Sequence, residues 1–224
     1  MSFSRAAHRV LQASYPTTIA CRGVSKRWYS ATAPVMSLIS ETIQHDHREL
    51  EDAYKKILSN PDLNEKKKWQ NQFTWELARH SIAEELLVYP AMERHLSDGK
   101  RLADKDRAEH QSVKEQLYKF QSLQPADPDF EPTLQGLWAD LGQHIKEEEE
   151  HDMVELEKAL QESESQALVT KFNRTKKFIP SRSHPSAPNK PPFETVAGLM
   201  AAPIDHLSDI FRSFPDESKS ELPP

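Results

Sequence analysis

Apolar side chains recur every three or four residues through the middle of the chain, from about residue 37 to residue 163. This spacing matches the period of an α-helix, and no stretch shows the strict alternation that predicts a β-strand. Short polar or proline-bearing breaks divide the region into four helices, predicted at about 37–59, 64–95, 100–123 and 133–163. Connections of roughly four to nine residues favour antiparallel neighbours. The sequence therefore predicts an all-α protein with an up-down-up-down four-helix bundle over residues 37–163.

Each predicted helix carries one histidine on its apolar face: His47, His80, His110 and His144. At a rise of about 1.5 Å per residue, all four fall at roughly one level of the bundle. A single histidine in such a place is usually a hydrogen-bonded core residue. Four at one level are harder to explain that way, because each buried polar group without a partner costs a few kcal/mol. A ligand shared by all four removes the cost, so the sequence predicts a metal site.

The second and fourth helices add carboxylates. Glu84 follows His80 by four residues, and Glu148 follows His144 by four residues, so each pair shares one helix face. Nitrogen and oxygen donors without a thiolate suit iron, manganese or zinc, and two carboxylates can bridge two ions. Structural zinc prefers four ligands, so six ligands favour two ions, with iron first. The predicted metal ligands are His47, His80, Glu84, His110, His144 and Glu148.

This arrangement resembles the hemerythrin-like, HHE cation-binding family of four-helix bundles. The resemblance rests on His47 within HDHREL, on His80 and Glu84 within HSIAEELLVYP, and on the histidines and glutamate of the other two helices. It covers residues 37–163. It implies a non-haem di-iron centre with Glu84 and Glu148 as bridging carboxylates, and a protein that handles O2, NO, peroxide or iron.

The chain departs from the oxygen-carrying members of that family in two places. Lys114 stands where they have a second histidine on the third helix, and the carboxylate of the fourth helix follows its histidine by four residues instead of five. We therefore expect binding, sensing or storage rather than reversible oxygen carriage. Two alternatives stay open: a di-iron oxidoreductase that turns over peroxide or NO, and a metal-stabilised protein-interaction module.

Three further residues near the predicted ligands have less specific expectations. Glu85 and Glu149 come one position after the bridging carboxylates, and we expect them to face solvent. The alternative is that they hydrogen-bond to an imidazole that binds metal. Tyr89 is expected to be a core or rim residue rather than a redox relay.

The N-terminus has a composition of its own. Residues 1–40 contain five basic side chains, no acidic side chain and frequent Ser, Thr and Ala, which is typical of a mitochondrial transit peptide. The sequence RWYS at residues 27–30 resembles a mitochondrial processing site. We predict a transit peptide at 1–29, a mature start near Ser30, a linker at 30–36 and a mitochondrial location, the matrix first. A disordered basic tail is the alternative.

Overall composition limits the remaining classes of function. The net charge of −6 argues against a nucleic-acid binder, which would normally show a basic face. A single cysteine, Cys21, excludes a disulfide framework and a thiolate metal site. No run of 18 or more apolar residues predicts a transmembrane helix. The expected partner is a small diatomic ligand or peroxide.

Proline is frequent beyond the bundle, and the chain divides there into three segments. Residues 164–192 are predicted to be a Pro-rich linker, 193–214 a short amphipathic helical segment split by Pro203, and 215–224 a disordered tail. The amphipathic segment contains Glu194, Asp205 and Asp209 but few basic residues. We therefore favour docking on the bundle, or binding of a protein partner, over a peripheral membrane helix.

Overall fold

A computed structural model describes residues 37–190 and 193–216. The predicted transit peptide, its processing site and the linker at 30–36 lie outside the described residues. So do residues 191–192 and most of the predicted C-terminal tail.

Within these two ranges the protein forms eight α-helices and two π-helical turns, without a strand, which confirms the predicted all-α class. The helices are α1 (Ile39–Ser59), α2 (Leu63–Ala83), α3 (Tyr89–His95), α4 (Gly99–Ser122), α5 (Phe130–Glu147), α6 (Met153–Ala159), α7 (Glu162–Thr175) and α8 (Phe193–Asp209). One π turn, Glu84–Val88, joins α2 to α3, and the other, Glu148–Asp152, joins α5 to α6. The four bundle helices are therefore α1, α2–α3, α4 and α5–α6.

Local chemistry explains where the helices begin. The side chain of Asp62 accepts hydrogen bonds from the backbone N–H groups of Asn64 and Glu65, at 2.7 and 3.1 Å, and so caps the start of α2. At the start of α4 the chain passes very close to the end of α3. A Cβ atom on Gly99 would lie 1.9 Å from the carbonyl oxygen of Met92, so glycine is required there.

The core consists of two apolar clusters. In α1, α2–α3 and α4 the histidine comes between them along the chain, and in α5–α6 His144 lies one residue before Ile145, the last member of the first cluster on that helix. One cluster contains Leu50, Phe73, Leu117, Phe130 and Leu137 among others, and the second contains Ile39, Ile43, Tyr89, Met153 and Phe172 among others. The histidine layer is thus enclosed by apolar side chains at both ends.

The chain beyond the bundle packs against it. Helix α7 occupies part of the segment predicted to be a Pro-rich linker, because Leu168 and Phe172 lie four residues apart and are both buried. The carbonyl oxygen of Lys176 accepts a hydrogen bond of 2.7 Å from Arg79 on α2. The hydroxyl of Ser183 donates one of 2.6 Å to the carbonyl oxygen of Lys114 on α4.

Helix α8 runs through Pro203 without the predicted division into two helices. It leaves apolar side chains exposed at Ile204 and Leu207, and Ile210 and Phe211 just beyond its end are exposed as well. None of the helices in the described part of the chain is long and apolar enough to cross a membrane.

Candidate metal centre

The four histidines of the bundle meet as two pairs. The Nε2 atoms of His47 and His80 are 3.1 Å apart, and those of His110 and His144 are also 3.1 Å apart. All four imidazoles are buried. Each pair therefore directs two ring nitrogens at one small volume.

A carboxylate lies beside the outer nitrogen of every imidazole. The distances from Nδ1 to oxygen are 2.8 Å for His47–Glu149 and His144–Glu109, and 3.2 Å for His80–Asp46 and His110–Glu85. An ionised carboxylate can only accept, so each Nδ1 carries a proton, and a ring that is otherwise neutral presents the lone pair of its Nε2. Burial acts to lower the pKa values of His47 and His144, but the carboxylates beside these two rings outweigh it and raise both pKa values. A proton is therefore favoured in each pair without metal, and a cation between two neutral rings would take its place.

Glu84 reaches one histidine of each pair. Its Oε1 atom is 3.2 Å from Nε2 of His80, and its Oε2 atom is 3.5 Å from Nε2 of His110. Glu148 does the same, since its Oε2 atom is 3.4 Å from Nε2 of His47 and 3.9 Å from Nε2 of His144. Both carboxylates thus span the two imidazole pairs, as bridging ligands of two metal ions would.

All four oxygens of Glu84 and Glu148 are buried, and none makes a hydrogen bond with the described residues despite the nearby imidazoles. Buried carboxylates without hydrogen bonds are costly. A pair of divalent cations would compensate for them, and the nitrogen and oxygen donors suit iron, manganese or zinc. The structure brings together all six predicted residues, and their chemistry fits two metal ions.

Burial and mutual repulsion shift the pKa values of this cluster in ways that bear on metal binding. Burial raises the pKa of Glu84, and the negative charge of Glu148 raises it further. Burial would also raise the pKa of Glu148, but His47 and His144 outweigh it and the pKa is lowered. Burial lowers the pKa of His110 to about 4, so this imidazole is neutral and ready to bind a metal ion.

Each π turn begins at a glutamate of the cluster, one at Glu84 and the other at Glu148. The backbone N–H of Glu84 bonds to the carbonyl oxygens of both His80 and Ser81, where the helix changes from α to π. Such turns add a residue and are frequent at functional sites. At the start of this turn two consecutive glutamates, Glu84 and Glu85, are both fully buried.

The prediction that Glu85 and Glu149 face solvent is therefore wrong. Glu85 is hydrogen-bonded to His110, and Glu149, whose side chain is 19 % exposed, is hydrogen-bonded to His47. In a regular helix consecutive residues point about 100° apart, so the residue after an inward-facing glutamate is expected to turn toward solvent. Both glutamates lie in π turns, where that expectation does not apply. A usable signal was present in the sequence, since Glu84 and Glu148 are each followed by a second glutamate.

A basic side chain accompanies each of the carboxylates that hold the imidazoles. The pairs are Lys176–Asp46 at 2.5 Å, Lys114–Glu85 at 2.5 Å, Lys105–Glu109 at 2.7 Å, and Arg48–Glu149. Lys114 thus neutralises Glu85 at the position where oxygen carriers have a histidine. Lys176 comes from beyond the predicted bundle and is far from Asp46 in sequence, so no local pattern could have indicated it.

Tyr89 is a core residue, as expected, but its hydroxyl reaches the centre. The hydroxyl oxygen is 3.0 Å from Nε2 of His110, and the residue is fully buried. Burial raises its pKa well above the ordinary value, so the hydroxyl keeps its proton. Tyr89 can therefore donate a hydrogen bond into the space between the imidazoles.

One cavity adjoins the cluster, and a second lies nearby. A cleft of about 340 Å³ between α1 and α5 is lined by His47, Glu149 and Trp138, and it brings solvent close to the centre. A small apolar cavity of about 30 Å³ lies between α2, α4 and the segment beyond α7, and its lining includes Ser81, Lys114 and Ser183. The first offers the wider approach for a small ligand.

Residues 38–156 match the family described as Hemerythrin HHE cation binding domain. A relative from Schizosaccharomyces pombe (strain 972), described as an uncharacterized hemerythrin-like protein, is 55% identical over 181 residues, which are 80% of this chain and 89% of the relative. No solved structure matched the chain.

Proposed function

The chain belongs to the hemerythrin-like, HHE cation-binding family, and we propose that it is a non-haem di-iron protein. It would handle O2, NO, peroxide or iron itself by binding, sensing or storage. The observation that carries the proposal is the pair of buried carboxylates, Glu84 and Glu148, which span two facing imidazole pairs and make no hydrogen bond with the described residues.

In this proposal His47 and His80 hold one ion, His110 and His144 hold the other, and Glu84 and Glu148 lie between them. Two iron ions would supply redox-active positions at which a small ligand can bind. The carboxylates on the Nδ1 atoms fix the tautomer and orientation of each ring. The two apolar clusters keep bulk water from the ends of the site.

Metal analysis of purified protein, with optical spectra under air and under reductant, tests the proposal. After anaerobic reconstitution we expect about two iron ions per chain and a charge-transfer band that reductant bleaches, since one pair of nitrogens serves each ion. His80→Ala combined with Glu84→Ala should lose that iron. His45→Ala is the matched control, because His45 lies two residues from His47 but its side chain is 72 % exposed.

Fewer than about 1.5 iron ions per chain would contradict the di-iron proposal. Manganese and zinc suit the same donors, so the purified protein should also be analysed for both. A chain that binds two manganese or zinc ions and excludes iron would keep the site and overturn the choice of metal.

A di-iron oxidoreductase that turns over peroxide or NO is the second candidate. Tyr89 favours it, because a buried hydroxyl 3.0 Å from Nε2 of His110 can pass a proton into the site. Steady-state consumption of peroxide or NO that Tyr89→Phe reduces at full metal content would support turnover. Ligand-dependent spectral changes without product would favour binding.

We also propose that the protein acts in mitochondria. The support is the acid-free, Arg-rich composition of residues 1–40 and the sequence RWYS at 27–30. A C-terminally tagged protein should co-localise with a mitochondrial marker, and its first residue should be Ser30. A cytosolic protein of full length would contradict this.

A further inference from the structure

The two halves of the bundle are related by an approximate repeat that is broken at one place. His47 corresponds to His110, His80 to His144, and Glu84 to Glu148, with offsets of 63 or 64 residues. The same offsets pair Ile43 with Asp106 and Val88 with Asp152. One half therefore has apolar residues one turn from its ligands, and the other half has carboxylates there.

Of the two carboxylates Asp106 and Asp152, Asp106 has the more unusual environment. It is 1 % exposed, and neither of its oxygens makes a hydrogen bond with the part of the chain that the structure describes. The ammonium of Lys105 is 3.8 Å from Oδ1, but it is held by Glu109 at 2.7 Å and Glu147 at 2.8 Å. A buried carboxylate in this condition is costly. The fold does not require it, since an isoleucine fills the corresponding position.

The surroundings of Asp106 are those of a cation site. Asp106, Glu109 and His144 each offer a ligand atom, and these atoms lie within 4.8 Å of one another. Nδ1 of His144 donates its hydrogen bond to Glu109. The atoms that remain available to bind a cation here are therefore carboxylate oxygens. Asp152, 5 % exposed, follows Glu148 by one turn. The side chain of Glu109 is 33 % exposed. Burial raises the pKa of Asp106, and the negative charges of Asp152 and Glu148 both raise it further, so these carboxylates are close to it on the side of the centre.

We propose that Asp106, Glu109 and Asp152 form an outer cation site, which holds a divalent ion such as Fe²⁺ before it passes to the dinuclear centre. Oxygen donors of this kind bind hard divalent cations. Lys105 is on a flexible stem and 36 % exposed, so its ammonium can leave Glu109 for solvent when an ion arrives. The proposal rests on the proposed di-metal function, and it gives the site a role in loading iron.

Anaerobic titration of the metal-free full chain with Fe²⁺ tests the outer site, through the number of ions bound and the rate at which they bind. We expect the wild-type chain to bind two ions tightly and a third weakly. Asp106→Asn should keep the tight pair, load more slowly and bind the third ion at least about tenfold more weakly, the range by which loss of a group around a metal site lowers affinity. Asp152→Asn should act in the same direction.

Glu115→Gln is the matched control, because Glu115 is an exposed acid on the same helix that is hydrogen-bonded to Gln111. It should load like the wild-type chain. Circular dichroism melts of each variant show whether it is folded. If Asp106→Asn does not fold, the same Fe²⁺ titration of Asp152→Asn tests the outer site instead.

Two results would overturn the outer site. One is an Asp106→Asn chain that loads at the wild-type rate and binds the third ion as tightly as the wild-type chain. The other is an Asp106→Asn chain that loses one of the two tightly bound ions, because Asp106 would then be a ligand of the centre itself. A wild-type chain that binds no tight pair would instead overturn the di-iron function, so the two failures are distinguishable.

Discussion

Four imidazoles at the centre of the bundle have the same kind of environment. Each donates its Nδ1–H to a carboxylate, and each carboxylate is paired with a basic side chain. The ion pair between Lys176 and Asp46 is the clearest example. Both side chains are buried, and the two residues are 130 positions apart in the sequence. Lys176 and the hydrogen bond with His80 hold the pKa of Asp46 well below its usual range, although burial acts in the opposite direction.

Lys176→Met should therefore destabilise the protein. It leaves Asp46 buried beside His80 without its ammonium, and breaking a buried ion pair by removing one partner costs about 3–5 kcal/mol. Urea denaturation of the metal-free protein measures the loss, and Lys176→Arg should recover part of it. Lys171→Met on α7, where Lys171 is exposed, should change the free energy of unfolding by less than about 0.5 kcal/mol. Equal effects of the two Met variants would contradict the role of Lys176.

The raised pKa of Glu76 predicts that the stability of the protein depends on pH. It is buried and accepts a hydrogen bond of 2.9 Å from Gln72, and burial raises its pKa from 4.5 to about 7. Between these values the unfolded chain releases a proton that the folded chain keeps, so stability falls as pH rises. The total loss by pH 8 is about 3 kcal/mol.

Glu76→Gln should remove this contribution, because glutamine has the same shape and no charge. The variant should match the wild-type chain near pH 4 and become more stable than it from pH 5 to pH 8. Urea denaturation of the metal-free proteins at several pH values gives the difference between the two curves. Parallel curves would show that Glu76 does not titrate in this range.

Residue-level prediction identified side chains that converge at the centre of the bundle but missed the carboxylates and lysines that support them, for a physical reason. His80 and Glu84 share a helix face at a fixed spacing, so sequence alone indicates that they converge. Lys176 meets Asp46 only because α7 packs against the bundle, and the spacing of residues within one helix gives no information about such a long-range contact. Asp46 and Glu109 each precede a ligand histidine in the sequence, yet each holds a histidine on a different helix.

Among the secondary-structure elements, the bundle helices lie close to their predicted bounds because the apolar stripes and polar breaks are strong. The fourth helix was predicted to continue to residue 163, but α6 ends at Ala159 and α7 begins at Glu162. The π turns were not predicted, since a turn that begins at Glu84 depends on how the carboxylates meet the imidazoles of other helices. Pro90 lies two residues beyond the end of the first π turn, in the first turn of α3.

The junction between α3 and α4 allows a test of one element boundary. Gly99→Ala would bring a Cβ atom to 1.9 Å from the carbonyl oxygen of Met92, and backbone on both sides must move to relieve the clash. We expect a loss of about 2–4 kcal/mol in a thermal or urea melt.

Gly136→Ala on α5 is the matched control for that junction. Its Cβ atom would be 3.9 Å from Oε1 of Gln116, an ordinary contact, and alanine favours the helix by up to about 1 kcal/mol. The two variants should therefore change stability in opposite directions. A Gly99→Ala chain as stable as the wild-type chain would show that the two helices are not joined as described.

For the described chain beyond residue 36, the main feature is a polar layer between two apolar clusters. The apolar clusters provide the stability of the bundle, and the layer between them has charged groups that a fold alone does not need. The C-terminal part contributes to that layer, because Lys176 pairs with Asp46 and the ring of Phe172 lies 6.2 Å from that of His80. We therefore infer that the layer is retained for metal binding.

Anomalous diffraction from iron-loaded crystals of the protein tests this inference most directly. Our account predicts two iron peaks in the histidine layer, one beside Nε2 of His47 and His80 and the other beside Nε2 of His110 and His144, with Glu84 and Glu148 between them. A single peak, or iron bound only at the surface while the imidazole pairs keep their direct contacts, would contradict it.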